Sequence, residues 1–478
     1  MAQFGLGFLF TVVITRKLGK TLYGEYSLII SFCFFLGLFT HFGFENIVNT
    51  YIPKLRNFPT KISFLLNRLI FIRLMVILAT CGMYLGFVNI LDFYIPILPI
   101  GKSSIYVIGY VASTSLGSLL SRVMVSQHQL KYIGIVNVIS ALYQFICAYI
   151  FLSAGFRLDT LLLIVITTSC LSLVFYLIPL RKTIKFPKES FDLKPLFNFG
   201  KASWLTSLVE FGLGKQIDIL LIGFFVAAAS EAGYYNLAIS TVIIISSLTT
   251  AGLSGVALTT FSEIENEQGR KQLGIAWESL IKLEFILSAP VVAFLAVYAH
   301  PFIVTFFSDS YLPAAGLVQV YACFFIIQRL IGGGVHVTAL YAMEKAKVVL
   351  VCRFVGGLMN LILDIILIPK YGAMGAIVAT GFCIVMTVTI EYAYTHKLLR
   401  HSYPFMFIFK ASAAIILSLL ILKIFSVQTI FSLIGVGIIY IFFLLVVLYF
   451  VKPLNHEDQM IIKNIDNSTL KWIASVYI

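Results

Sequence analysis

The chain has 478 residues, of which 60% are hydrophobic and only 12% charged, with a mean hydropathy of +0.99. A soluble domain carries about 25% charged residues, so an ordinary soluble protein is excluded and an all-α polytopic membrane protein is expected. The net charge of +13 falls mainly in short loops between apolar runs, where it orients spans and does not call for nucleic acid.

The first apolar stretch, residues 1–15, lacks a basic leader and a small-residue cleavage site, so it is not read as a signal peptide. It is short of the roughly 20 residues a span needs, which places the start inside the first helix and leaves open whether the true N-terminus lies upstream of Met1. Breaks at charges, Pro and Gly then give spans at 26–50, 64–88, 104–127, 133–154, 159–180, 198–227, 232–259, 279–299, 313–340, 347–368, 373–395, 405–424 and 429–451. That makes about 14 spans of membrane-crossing length. Strands of a membrane barrel would be shorter and would alternate in polarity. The seven cysteines lie in apolar stretches without a CxxC, so neither a disulfide framework nor a metal site is expected.

Loop charges alternate. Lys54, Arg56, Lys61, Arg181, Lys182, Lys185, Lys188, Lys194 and Lys201 fall on one side, which the positive-inside rule makes cytoplasmic, with both termini. Arg16, Lys17 and Lys20 dissent on the outer side. No outer loop is long enough for a catalytic domain.

Tyr23-Gly24-Glu25-Tyr26-Ser27-Leu28-Ile29 is similar to Ala232-Gly233-Tyr234-Tyr235-Asn236-Leu237-Ala238, and residues 127–156 are more weakly similar to 343–372. The offsets, about 209 and 216 residues, are separated by six spans, an even number, so the copies run in the same direction. Residues 1–180 are expected to form an N-terminal lobe of six spans and 198–395 a C-terminal lobe of six. Residues 181–197 make a cytoplasmic linker, 396–451 two extra spans and 452–478 a cytoplasmic tail.

Four segments carry a family resemblance: Arg16-Lys17-Leu18-Gly19 with Tyr23 to Tyr26; Gln216-Ile217-Asp218-Ile219-Leu220-Leu221-Ile222-Gly223 with Ala232 to Ala238; Phe306-Phe307-Ser308-Asp309-Ser310-Tyr311 with Ala314-Ala315; and Leu367-Ile368-Pro369-Lys370-Tyr371-Gly372-Ala373-Met374-Gly375-Ala376. In this order the chain resembles the polysaccharide-repeat (O-antigen type) flippases of the multidrug/oligosaccharidyl-lipid/polysaccharide exporter superfamily. The resemblance implies a V-shaped two-lobed bundle in the inner membrane. It would move an undecaprenyl-pyrophosphate-linked sugar repeat by alternating access, without covalent chemistry, for O-antigen, capsule or lipopolysaccharide synthesis. A polysaccharide polymerase and chain-length proteins are the implied partners.

Charges inside a bilayer are costly and mark function. The spans hold Arg68, Arg73, Arg122, Glu210, Lys215, Asp218, Arg329, Arg353, Asp364 and Glu391. Arg73 lies roughly nine residues, about 14 Å, from the cytoplasmic end of its span and Arg329 about eleven residues in; Arg68, Arg122 and Arg353 are shallower. A pyrophosphate would enter there, and the guanidinium fork matches two phosphate oxygens. The plainer alternative for the shallow three is snorkelling to headgroups. Glu210, Lys215 and Asp218 are expected on one helix, as an ion pair or as a coupling site, and Asp364 is placed to join Asp218. A carboxylate there would carry H+ or Na+; no other cofactor is expected. Gly332-Gly333-Gly334 reads as a bend or, more plainly, as close helix packing.

Gly101-Lys102-Ser103 lacks the upstream Gly of a phosphate loop, with Pro96 in its place. A multidrug or metabolite antiporter on the same fold would favour an acidic cavity, whereas the embedded cytoplasmic-side charges are mostly basic. A membrane polymerase or ligase would need a sizeable polar outer loop.

Overall fold

A 54-residue helix is about 81 Å long at 1.5 Å per residue, far beyond a hydrocarbon core of about 30 Å, so the longest helix of this chain has to fold back. The computed structural model describes residues 2–94, 101–181, 193–212, 214–250, 253–422, 425, 427 and 429–453. Among them are seventeen α-helices and no strand, and eleven of the helices are long and apolar enough to cross a membrane. In chain order they are α1 (Ala2–His41), α2 (Phe44–Lys54), α3 (Pro59–Tyr94), α4 (Ser104–Ser126), α5 (Leu130–Ser153), α6 (Leu158–Leu180), α7 (Lys194–Gly212), α8 (Lys215–Val226), α9 (Ala229–Thr250), α10 (Leu253–Glu267), α11 (Arg270–Val297), α12 (Ala299–Phe307), α13 (Pro313–Ile331), α14 (Val335–Ala342), α15 (Ala346–Leu399), α16 (Phe405–Leu422) and α17 (Ile430–Val451).

The two longest helices each contain one glycine in a non-helical conformation: Gly19 in α1 (φ 75°, ψ 174°) and Gly372 in α15 (φ 57°, ψ −138°). Each therefore holds two limbs. At Gly372 the second limb opens with Ala373, whose N–H is accepted by Glu231 Oε2 at 3.2 Å, so a carboxylate serves one of the amides a helix start leaves without a partner.

Several expected spans are broken. Residues 26–50 stop at His41, and Gly43 (φ 74°) breaks the helix before α2. Residues 198–227 divide into α7 and α8, residues 232–259 fall on α9 and α10, and residues 313–340 divide at Gly332 into α13 and α14. α11 begins at Arg270 rather than 279, because Lys271 and Glu278 are carried within the helix and do not end it. Most of the expected linker 181–197 and of the tail 452–478 lies outside the described residues.

The chain forms two compact units, Met1–Asn236 with Asn360–Ala376, and Leu237–Met359 with Ile377–Ile478. The first is centred on Phe44, Ile47, Leu65, Leu69, Leu119 and Val123. The second has one apolar centre at Phe285, Ala289, Ala411, Ala414 and Tyr440, and another at Trp277, Ile281, Val335 and Ala339. Large apolar side chains also cover the outside: Ile105, Phe409, Phe431 and Phe450 are all more than 70% exposed. That surface suits lipid, since α-helices satisfy their own backbone and need only an apolar exterior. The chain is a multi-pass helical membrane protein.

Candidate functional site

In the first unit, α1 ends at His41 and α2 starts at Phe44, so Glu45 sits in the first turn of α2, where exposed amides favour a carboxylate. Arg73, on α3, reaches it. The Arg73 side chain is fully buried; its Nη2 donates to Glu45 Oε1 (2.8 Å), the Ser115 carbonyl (2.8 Å) and Ser118 Oγ (3.1 Å), and its Nη1 to the His41 carbonyl (2.9 Å). Ser118 Oγ donates to Glu45 Oε1 at 2.9 Å, and His41 Nδ1 lies 2.9 Å from the same oxygen. The fork expected to meet a phosphate is thus engaged by four acceptors of its own unit. Arg68 and Arg122 are exposed, and Arg68 lies over the Phe64 ring at 5.6 Å.

The break between α7 and α8 creates a helix start inside the apolar region, and Asp218 lies in the first turn of α8. Glu210 belongs to α7, so the expectation of one helix carrying Glu210, Lys215 and Asp218 is corrected: Gly214, in extended conformation, precedes the new helix. The Glu210 side chain lies outside what the structure describes. Asp218, Asn360 and Asp364 are all fully buried. Asn360 Nδ2 donates to Asp218 Oδ1 at 3.1 Å and to Asp364 Oδ2 at 2.8 Å, and Tyr235 donates its hydroxyl to Asp218 Oδ2. Asp364 is within hydrogen-bonding reach of Asp218. Asn360 Oδ1 and Asp364 Oδ1 have no hydrogen-bond partner. Two carboxylates so close cannot both stay ionised unless a proton or a cation lies between them.

Next to this cluster Lys215 Nζ donates to Asn236 Oδ1 at 3.0 Å, and Asn236 Nδ2 donates to Ser27 Oγ at 2.9 Å and Tyr23 Oη at 3.2 Å. Ser27 and Asn236 are equivalent positions of the repeated motif, 209 residues apart. The equivalent glycines meet as well: a Cβ built on Gly233 would stand 3.1 Å from Gly24 Cα, and one on Gly24 would run into the Ala229 carbonyl. Only glycine permits that approach. The two similar segments therefore touch at matching positions.

In the second unit, α13 ends at Ile331 because Gly332 (φ 123°) and Gly333 (φ 54°) leave the helical region. Gly332 and Gly333 therefore make a bend, and Gly332 also packs closely, since a Cβ there would stand 2.7 Å from the His336 ring and 3.1 Å from Ile281. Arg329 lies in the last turn of α13, pairs with Glu284 of α11 and covers the Phe325 ring at 4.9 Å. Fully buried His336 locks the bend. Its Nδ1 accepts the Trp277 indole N–H at 3.1 Å, so its Nε2 carries the proton and donates to the Ile331 carbonyl at 3.0 Å. Arg353 Nε lies 3.3 Å from Glu391 Oε1.

Glu45, Glu284, Tyr235 and Asn360 were not singled out by sequence reasoning. Glu284, two residues after Lys282 in an apolar stretch, and Asn360, one helical turn before Asp364, carry signals that would have found them. Glu45 lies next to the break between α1 and α2 and looks like a loop acid. Among the described residues no three His, Cys, Asp or Glu side chains group as a metal site.

Residues 13–316 match the family model described as "Polysaccharide biosynthesis protein". The chain belongs to that family. Within the polysaccharide biosynthesis proteins it is 23% identical over 429 residues to an uncharacterized membrane protein of Methanocaldococcus jannaschii, covering 83% of this chain and 82% of the relative. Its fold is that of the lipid II flippase MurJ in an inward closed conformation (TM-score 0.75, 18% identity, 94% of this chain and 97% of that one). It is also that of an inward-facing multidrug resistance MATE family transporter of the MOP superfamily (TM-score 0.66, 11% identity, 83% and 94%).

Proposed function

We propose that this member of the polysaccharide biosynthesis family is a flippase. It carries an undecaprenyl-pyrophosphate-linked oligosaccharide repeat unit across the inner (plasma) membrane by alternating access, breaks no bond, and keeps both termini in the cytoplasm. The observation that supports the reading most is a fold shared with a lipid II flippase over 94% of the chain in a member of a polysaccharide biosynthesis family.

The exposed Arg68 and Arg122 and the partly exposed Arg353 are assigned as first contacts for the pyrophosphate. Arg73 and Arg329 carry Glu45 and Glu284 as counter-ions; phosphate reaches them only by replacing a carboxylate. The Asp218–Asn360–Asp364 cluster is assigned as the coupling site. Its two orphaned oxygens and its facing carboxylates suit Na+ or H+.

Deleting the gene in a strain without a second exporter should leave the lipid-linked repeat unit intact and facing the cytoplasm, with surface polysaccharide lost. Normal surface polysaccharide in that strain would rule the reading out.

A further inference from the structure

Because α15 folds back at Gly372, positions equidistant from that glycine come side by side. Arg353 stands 19 residues before it and Glu391 19 residues after it, and the two side chains meet at 3.3 Å. The pair is lopsided. Glu391 is fully buried, whereas Arg353 is 38% exposed. A strong arginine–carboxylate pair makes two parallel N–H···O bonds; here Nε approaches from the side and neither Glu391 oxygen receives a hydrogen bond. A buried carboxylate without hydrogen bonds is costly in its charged form. Arg353 can lay its stem along the helix and hold its head in water or among headgroups. Among the described residues a further titratable neighbour, Cys352, is buried on the same limb as Arg353. On the Glu391 limb, the Thr395 hydroxyl is turned to the Glu391 backbone carbonyl and does not serve the carboxylate.

We propose that Glu391 is a proton-binding site whose occupancy is set by Arg353. With the guanidinium docked, the carboxylate is ionised. When the guanidinium swings out, Glu391 takes one proton from hydronium at the nearer membrane face; one O–H bond of hydronium breaks, leaving water, one O–H bond forms on the carboxyl, and Arg353 keeps its charge. This site is separate from the Asp218–Asp364 cluster, which belongs to the other unit. Resting on the flippase reading, the group that draws Arg353 away is the phosphate head of the substrate, so anion binding and proton uptake become one event.

The test uses the full chain in lipid nanodiscs treated with dicyclohexylcarbodiimide, which modifies protonated carboxyl groups in apolar surroundings. Adducts are located by peptide mass spectrometry, and the infrared band of protonated carboxyl groups gives a second readout. Glu391 should be labelled in the wild type. Arg353→Gln should raise the neutral fraction, and with it the labelling rate, roughly tenfold. Glu391→Gln should remove both the adduct and its share of the infrared band. Undecaprenyl pyrophosphate added to the wild type should raise labelling toward the Arg353→Gln level. Absence of the adduct in both wild type and Arg353→Gln, with no infrared band sensitive to Glu391→Gln, overturns the proton site. Labelling that responds to Arg353→Gln but not to undecaprenyl pyrophosphate keeps the proton site and overturns the link to the substrate. Should Arg353→Gln fail to fold, the infrared comparison of wild type with Glu391→Gln over a pH series down to mildly acidic pH decides: a protonated-carboxyl band that grows on acidification in the wild type and is missing in Glu391→Gln supports the site, and identical spectra throughout overturn it.

Discussion

Replacing Arg73 by alanine removes the partner of a carboxylate that is only 13% exposed and takes the donor from two backbone carbonyls, those of His41 and Ser115. Breaking a buried ion pair from one side costs about 3–5 kcal/mol. His41 and Ser118 stay within reach of Glu45, so the loss should fall toward the lower end, about 3 kcal/mol. Arg73→Lys keeps the charge but brings all its donors to one atom, and it should recover only part of that loss. The double variant Arg73→Met/Glu45→Leu removes both charges at similar volume and should be closer to the wild type than either single change. Reversible unfolding in mixed micelles, followed by tryptophan fluorescence, of wild type, Arg73→Met, Glu45→Leu and the double variant gives the four corners of a double-mutant cycle. If Arg73→Ala and Glu45→Gln both unfold within about 1 kcal/mol of the wild type, the pair is not a brace. Should Arg73→Ala then also abolish export, the arginine belongs to the substrate instead.

Asp218→Asn and Asp364→Asn should each leave the protein folded but remove the dependence of export on a sodium or proton gradient; unaltered gradient dependence in both would take the coupling role away from the cluster. Gly332→Ala puts a Cβ at φ 123°, 2.7 Å from the His336 ring, and should destabilise by about 1–3 kcal/mol in the same unfolding assay, whereas Gly334→Ala, with nothing within 4 Å of its Cβ, should be nearly neutral. Reporter fusions after Lys188 and after Lys452 should both read as cytoplasmic, and an external signal at either breaks the proposed orientation.

Apolar runs bounded by Gly, Pro or charge located α4, α5, α6, α16 and α17 to within about three residues. The expected spans 104–127, 159–180 and 429–451 became Ser104–Ser126, Leu158–Leu180 and Ile430–Val451. Periodicity is local, so these elements could be read directly. Breaks inside apolar runs were not legible, because a run of the right length looks like one span whether or not its backbone turns. Gly43 and Gly332 do turn it, and a missing Cβ reads the same whether it serves φ freedom or close packing. The site was half legible for a similar reason. A charge in an apolar run signals cost, and so Arg73, Asp218 and Asp364 stood out; what offsets that cost comes from distant segments. Nothing local to Arg73 points to Glu45, 28 residues before it, or to the Ser115 carbonyl, 42 residues after it.

Gly24 meets Gly233 and Ser27 meets Asn236 at matching positions of two similar segments, a pattern comparable to a homodimer axis, where each residue faces its own copy. A true dimer must place the same side chain on both sides of its axis, and every substitution there is made twice. Once both copies lie in one chain, that constraint is gone. Ser27 faces Asn236 here, a pairing no symmetric dimer offers at its axis, and the asymmetry lets Asn236 turn its amide to Ser27 while its carbonyl oxygen receives Lys215. Two similar but non-identical segments in one chain are therefore a route by which a self-matching contact acquires a direction. Exchanging the two residues, Ser27→Asn with Asn236→Ser, would keep the contact but turn that direction around.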